Sequence, residues 1–244
     1  MTRTIILASG KGGTGKTIVT ANLGVALAQR GKKTIALDAD VTMANLGLML
    51  GLEGRKTTLH DVLSDEKKMR RIVYDGPAGL KVVPCGMSLD GIRKVKLERL
   101  KKVVAALTKK ADLVLIDSPS GLNHDSVTAL ASAQELVLVV TPDLTSVSEA
   151  LKVKIVAERL RVKPVGVVIN RACGGDVDLP KDEIENVLEL PVLVTMPENV
   201  EIRRAAALGE SVVVRSPKSP AAKAFKELAA ALLKSKVAKA SGGE

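Results

Sequence analysis

Gly10-Lys11-Gly12-Gly13-Thr14-Gly15-Lys16-Thr17 comes one residue after the apolar run Thr4-Ile5-Ile6-Leu7-Ala8. It fits the phosphate-loop pattern G-x-x-x-x-G-K-[ST] at every position, between an expected strand and an expected helix. Four glycines let the backbone turn tightly and aim its N–H groups at phosphate oxygens. Lys16 brings a point charge to the outer phosphates, and Thr17 offers a hydroxyl to Mg²⁺. The helix that starts at Ile18 turns its positive end toward the same anions. A glycine-rich turn that binds nothing is the alternative, and the strand context with both Lys and Thr in place argues against it.

Carboxylates and amides with matching chemistry end other apolar runs. Asp117 closes Leu113–Ile116 and has the form of a second nucleotide motif, whose carboxylate holds Mg²⁺ directly or through water. Asp-x-Pro-x-Gly then brings Gly121, a hinge where a γ-phosphate could be sensed. Asp38 and Asp40 follow Lys33–Leu37. At most one of them is expected to aim at the metal or the attacking water, and either could instead cap a helix over Met43–Leu50. Asn170-Arg171-Ala172-Cys173 ends Val165–Ile169. A guanine pocket of the Asn-Lys-x-Asp kind needs a carboxylate at its fourth position, and Cys173 cannot accept from guanine's N–H groups. Adenine is therefore expected, with the Asn170 amide donating and accepting.

The elements that must carry these residues alternate along the chain. Strands are expected at Thr4–Ala8, Lys33–Leu37, Leu80–Val83, Leu113–Ile116, Leu136–Val140, Val165–Ile169 and Val192–Val194. Helices are expected at Ile18–Arg30, Lys96–Lys109, Ser146–Arg161 and Lys181–Leu188, with a last one within Ser219–Lys236. The strands are continuous in Val, Ile and Leu, as in parallel sheets covered on both faces. The fold class is α/β: a doubly wound, mostly parallel sheet with helices on both faces. Ligands in such sheets sit beyond the carboxyl ends of the strands, where all the polar positions above fall.

At 244 residues and 46% hydrophobic content, one domain over 1–235 is expected, with 236–244 as a loose tail. No uncharged apolar stretch is long enough to span a membrane, and no signal peptide is read, so a cytoplasmic location is expected. Cys85 and Cys173 form no C-x-x-C pair, which argues against zinc, disulfide or metal-cluster frameworks. Scarce Gln and Asn beside abundant Lys and Glu hint at a thermophile. The net charge of +10 raises nucleic acid or anionic membrane as partners. Yet the basic groups (Lys67-Lys68-Met69-Arg70-Arg71, Arg99-Leu100-Lys101-Lys102, Arg159-Leu160-Arg161) interleave with apolar residues as solvated helix faces do. One Tyr and one Phe make no stacking platform for single strands.

Lys11 just after the first glycine, with Asp38-Ala39-Asp40-Val41-Thr42-Met43-Ala44-Asn45-Leu46, Asp117-Ser118-Pro119-Ser120-Gly121 and Met196-Pro197-Glu198-Asn199, resembles the MinD/ParA family of deviant Walker A ATPases, archaeal MinD types above all. The resemblance runs from about Thr4 to Lys234. It implies the P-loop NTPase fold and a cytoplasmic, Mg²⁺-dependent ATPase that hydrolyses ATP to ADP and phosphate, slowly and with stimulation by an unidentified partner protein. It further implies a homodimer formed around ATP and a role in spatial positioning of the division-site kind. Lys11 would reach the other subunit's phosphates, and Gly10 to Ile18 would wrap the nucleotide. Asp40 would orient water, Thr17, Asp40 and Asp117 would serve the metal, and Asn170, Arg171 and Pro197 would surround adenine. Ile18 stands where the family commonly has a second Thr, so one phosphate contact is expected to be missing. The membrane tail of bacterial members is not evident, since Phe225, Leu228, Ala229 and Leu232 have the spacing of a core-docked final helix. A ParA-type partition ATPase whose dimer binds DNA nonspecifically shares the same site and is the alternative. Peripheral contact with membrane or nucleoid is left open by sequence.

Overall fold

A computed structural model describes residues 2–65, 72–86 and 88–235. The basic group at 67–71 and the tail expected at 236–244 lie outside them. Eight strands form one sheet: β1 (Arg3–Ala8), β2 (Thr34–Asp38), β3 (Tyr74–Asp75), β4 (Lys81–Val83), β5 (Leu113–Asp117), β6 (Glu135–Val140), β7 (Lys163–Ala172) and β8 (Val192–Pro197). Their order is β3-β4-β2-β5-β1-β6-β7-β8. Every pair is parallel except β3 with β4.

Successive residues of β1 show why the apolar runs do not alternate with polar residues. Ile5 and Leu7 join the core on one face, Ile6 and Ala8 the core on the other. Both faces of the sheet are thus covered. One side carries α1 (Lys16–Gln29), α2 (Leu46–Met49), α9 (Val200–Ala207), α10 (Val212–Arg215) and α11 (Pro220–Lys234). The other carries α3 (Leu59–Ser64), α5 (Leu100–Thr108), α6 (His124–Leu130), α7 (Leu144–Arg159) and α8 (Lys181–Leu188), while α4 (Leu89–Lys94) lies against α3. The chain reverses its winding at β1, between β5 and β6. This opens the crevice beyond the strand ends.

Helix α1 runs through the centre and is buried almost all round, including Leu23, Gly24, Val25 and Leu27. The polar Asn22 is buried there because its amide is satisfied. Its Oδ1 accepts from Ser211 Oγ at 2.7 Å and Val212 N at 2.9 Å, and its Nδ2 donates to Ile18 O at 2.9 Å. Helix α11 packs Phe225, Leu228, Ala229 and Leu232 into the same core, as their spacing predicts.

Several boundaries differ from the sequence reading. The helix expected over Met43–Leu50 begins only at Leu46, because Asp40 Oδ1 accepts from the N–H groups of Thr42 and Met43 and holds them in a turn. Strand β7 runs on to Ala172, so Asn170 and Arg171 lie within a strand rather than after one. Pairing of Ala172 with Pro197 extends it. The helix expected from Lys96 begins in α form at Leu100, after a tighter turn over Leu97–Arg99. Nor is Arg99 fully solvated, since it donates to the carbonyls of Leu63 and Ser64.

Candidate functional site

The phosphate loop joins β1 to α1, and two glycines fix its path. Gly10 passes so close to α7 that a β-carbon would lie 2.4 Å from the Glu149 backbone. Gly15 is left-handed at φ 89°, and a β-carbon there would lie 2.2 Å from Asn170 Nδ2. Gly15 is also the N-cap of α1, and no side chain caps this helix or places an acid in its first turn. Buried Thr14 Oγ1 has no partner either. A helix N-terminus whose N–H groups lack side-chain acceptors, beside an unsatisfied hydroxyl, fits a phosphate group.

Lys16 lies on the floor of the crevice, buried, with Nζ donating to Ser9 Oγ at 3.0 Å. Burial lowers its pKa, and the charges of Asp117 and Asp40 offset part of that effect. Asp38 and Asp117 are register partners at the ends of β2 and β5, both fully enclosed. Burial pushes the Asp117 carboxyl up to about 6, against hydrogen bonds from Thr17 and Thr20 and the charge of Lys16. Burial, then the charge of Asp117, raises Asp38 further. Asp38 has both oxygens engaged, by Asp40 N at 3.2 Å and Leu46 N at 3.0 Å. It therefore anchors the start of α2, and Asp40 is the acid left to face the crevice. Its turn uses only Oδ1, so Oδ2 is available. The charges of Asp117 and Asp40 act on the Lys16 ammonium, and these two carboxylates with the Thr17 hydroxyl offer the oxygen ligands a divalent cation takes. The hinge glycine, Gly121, is left-handed at φ 78°, and its N–H donates to Ser9 O at 3.0 Å.

Lys11 lies on the exposed rim. Its Nζ is 3.5 Å from Asp143 Oδ1 and 3.3 Å from Thr145 Oγ1, at the start of α7 in the same chain. Burial alone would raise the Asp143 carboxyl. Hydrogen bonds from Thr141, Thr145 and Ser146 N, together with Lys11, instead hold it well below the usual carboxylate range.

Beyond the loop, Ile18, Asn170, Arg171 and Pro197 line one small pocket. Asn170 is less free than its sequence position suggests, since Nδ2 donates to Thr14 O at 2.7 Å and so braces the loop. Four further residues complete this pocket: Glu198, Asn199, Ile202 and Arg203. Glu198 accepts from Arg203 at 2.9 Å and lies 3.9 Å from Arg171 Nε. Ser9 and Thr20 are the other site residues that motif reading misses. Thr20 Oγ1 donates to Asp117 Oδ1 at 3.1 Å, and its position one helical turn after Thr17 is the signal that could have found it.

Residues 5–212 match the model of the CobQ/CobB/MinD/ParA nucleotide binding domain. The chain belongs to this family. Among its relatives, an uncharacterised ATP-binding protein of Methanocaldococcus jannaschii is 43% identical over 95% of this chain and 88% of its own length. The septum site-determining protein MinD of Synechocystis is 35% identical, over 94% and 88%. Two solved MinD structures superpose with a TM-score of 0.93. One is the septum site-determining protein MinD of Pyrococcus horikoshii complexed with Mg-ADP (36% identity, 96% and 97% covered), the other the cell division ATPase MinD of Pyrococcus furiosus (40%, 96% and 99%). MinD in a MinC:MinD complex from Aquifex aeolicus has a TM-score of 0.85 at 28% identity, with 96% and 97% covered. These likenesses make the chain a MinD-like member of the family, with the doubly wound sheet its sequence predicts.

Proposed function

We propose that this chain is a Mg²⁺-dependent ATPase of the MinD type, comprising one domain over 1–235, whose ATP and ADP states differ in assembly. The convergence of Lys16, Asp40 and Asp117 on the uncapped start of α1 carries the reading. The N–H groups of Gly10 to Ile18 and Lys16 would bind the phosphates. Thr17 and Asp117 would hold Mg²⁺, with Asp40 beside them, and the ion when bound supplies charge neutralisation on the phosphoryl oxygens. Asp40 Oδ2 would accept a hydrogen bond from the attacking water. The water oxygen bonds to the γ-phosphorus as the bridge to ADP breaks, yielding ADP and phosphate. Asn170, Arg171 and Pro197 would enclose adenine, and calorimetry should find ATP bound at least tenfold tighter than GTP, about 1.4 kcal/mol.

Asp40 is tied into its own exposed turn, so turnover is slow until a partner protein reshapes that turn. Lys11 makes a long, half-exposed contact in its own subunit, which suits a side chain that transfers to the other subunit's phosphates when ATP draws two copies together. The division proteins among the relatives, one of them in a MinC:MinD complex, support spatial positioning as the role. They do not favour nonspecific DNA binding. Light scattering tests the switch: Asp40→Ala should be a dimer with ATP and a monomer with ADP, and Lys11→Ala in that background should be a monomer with both. A dimer with ATP in the double variant would remove Lys11 from the switch.

A further inference from the structure

Beside the Asp40 turn, a cleft of ≈ 430 Å³ opens between α3 and α4. Its wall carries three cations, Arg55, Lys56 and Lys94, and the Ser88 hydroxyl. Among the described residues none of the three cations has an ion-pair partner, and Arg55 rests over the Tyr74 ring at 5.2 Å. The acid there, Asp61, accepts from Thr58 N and Thr58 Oγ1 at the start of α3. Such a wall favours an anion small enough to be held by several side chains at once.

The back of the cleft adds a second requirement. His60 is 3% exposed, with Nε2 2.8 Å from Val41 O. A carbonyl only accepts, so Nε2 carries the proton, and in the neutral ring Nδ1 presents a lone pair. Nδ1 is buried and has no partner. Two glycines flank it: a β-carbon at Gly86 would lie 2.6 Å from Nδ1, and one at Gly91 2.7 Å. A side chain at either position would collide with Nδ1, and His60, Gly86 and Gly91 all line the cleft. A buried acceptor left unmade is costly, and the group that satisfies it must donate.

We propose that this cleft binds a small phosphorylated polyol, with a hydroxyl donating to His60 Nδ1 and the phosphate held by Arg55, Lys56 and Lys94. Val41, which takes the other end of the imidazole, directly follows Asp40. Occupancy therefore bears on the turn that carries Asp40, a consequence that rests on the proposed role of that acid, whereas binding itself does not.

The chain has two histidines, and His124 is exposed, so imidazole NMR reads the site directly. Ribose 5-phosphate is titrated into protein saturated with Mg·ADP, which keeps the phosphate loop filled. The expected result is a saturable shift of the His60 signals with His124 unmoved. Arg55→Ala with Lys94→Ala, both exposed positions, should weaken the titration about tenfold or more while leaving the fold and Mg·ADP binding intact. Inorganic phosphate should bind more weakly than the sugar phosphate and leave the His60 signals nearly unshifted. Absence of a saturable His60 shift, or equal binding by the double variant, would overturn the site. Equal affinity for inorganic phosphate would overturn the hydroxyl contact and with it the polyol. In the binding-competent protein, an unchanged turnover rate at saturating ribose 5-phosphate would remove only the link to Asp40.

Discussion

On the floor of the crevice Lys16, Asp38 and Asp117 are buried and hydrogen-bonded to their neighbours. On its rim Lys11 and Asp143 have side chains 45% and 42% exposed, and a 3.5 Å contact joins them. Both lysines come from one loop, five positions apart, yet they answer to different physics. A buried ammonium among carboxylates has one stable place, and moving it would leave charges uncompensated at a cost of several kcal/mol. An exposed ion pair is worth about 0–1 kcal/mol and can be exchanged for a better partner. Floor residues are thus suited to holding the nucleotide, and rim residues to reporting which nucleotide is held.

The sharpest way to break this contrast is Lys16→Ala. The floor would lose its cation while keeping two acids, Asp38 and Asp117, so ATP affinity should fall by about 100-fold or more, well over 2 kcal/mol. Calorimetry with Mg·ATP measures it, and affinity within a few-fold of the wild type would show that the floor is not the phosphate site. Asp40→Ala should divide binding from chemistry instead. If Asp40 acts on water alone, kcat should drop about 100-fold with the ATP dissociation constant within a few-fold, because the lost contact exists only in the transition state. A drop in affinity that matches the drop in kcat would move Asp40 from the rim to the floor.

The buried acids give the floor a pH signature. An exposed Asp titrates near 3.8, whereas Asp117 in the folded chain is pushed up to about 6, primarily by burial. Between those values the folded state holds more protons than the unfolded one, so stability falls as pH rises from about 4 to about 6. Asp38, raised by the same burial and by the charge of Asp117, acts in the same direction. Without metal or nucleotide, thermal unfolding should therefore occur at lower temperature at pH 7 than at pH 4.5 as far as these acids decide it, by of order a few kcal/mol. Mg²⁺ with ADP should reverse that slope, since a cation favours the ionised carboxylates. Asp117→Asn should flatten the slope in metal-free protein, and an unchanged slope would locate the effect elsewhere.

What sequence revealed of this site follows the same division between local and distant causes. Gly10 to Thr17 are contiguous, so their chemistry and their geometry are written in one stretch. Asp117 is legible because an ionisable residue ending a Val/Ile/Leu run has to be explained by what lies beyond the strand, whereas only the family resemblance separates Asp40 from Asp38. Ser9 stands between two quoted stretches and Glu198 inside a quoted motif, but their roles come from partners brought near by folding: Lys16 for the first, Arg171 and Arg203 for the second. His60 reads as an ordinary polar residue until Gly86 and Gly91, 26 and 31 positions on, close around it. The alternating strands and helices of the central sheet were legible for their length and composition. Strand β3 has two residues and α10 has four, too short for any period to register, and both depend on neighbours already in place.

The smallest effect tests the rim itself. Asp143 does two jobs: Oδ1 caps α7 by accepting from Ser146 N at 2.9 Å, and the carboxylate faces Lys11. Truncation to Ala would remove both, and loss of a cap alone costs about 1 kcal/mol. Asp143→Asn keeps an oxygen for the cap while discarding the charge, so it isolates the pair. Combined with Lys11→Ala in a double-mutant cycle, it should give a coupling energy no larger than about 0.5 kcal/mol in urea unfolding. The same substitution should nonetheless favour assembly. With no carboxylate to leave, Lys11 moves at lower cost, and any free energy lost from the monomer contact appears in the ATP dimer by linkage. Light scattering of Asp143→Asn in the Asp40→Ala background should then find dimers at modestly lower protein concentration, by a factor of about 2. A coupling of 2 kcal/mol or more, or weaker dimers, would mean that the Lys11–Asp143 contact belongs to the floor class: a fixed structural pair, not a contact made to be released.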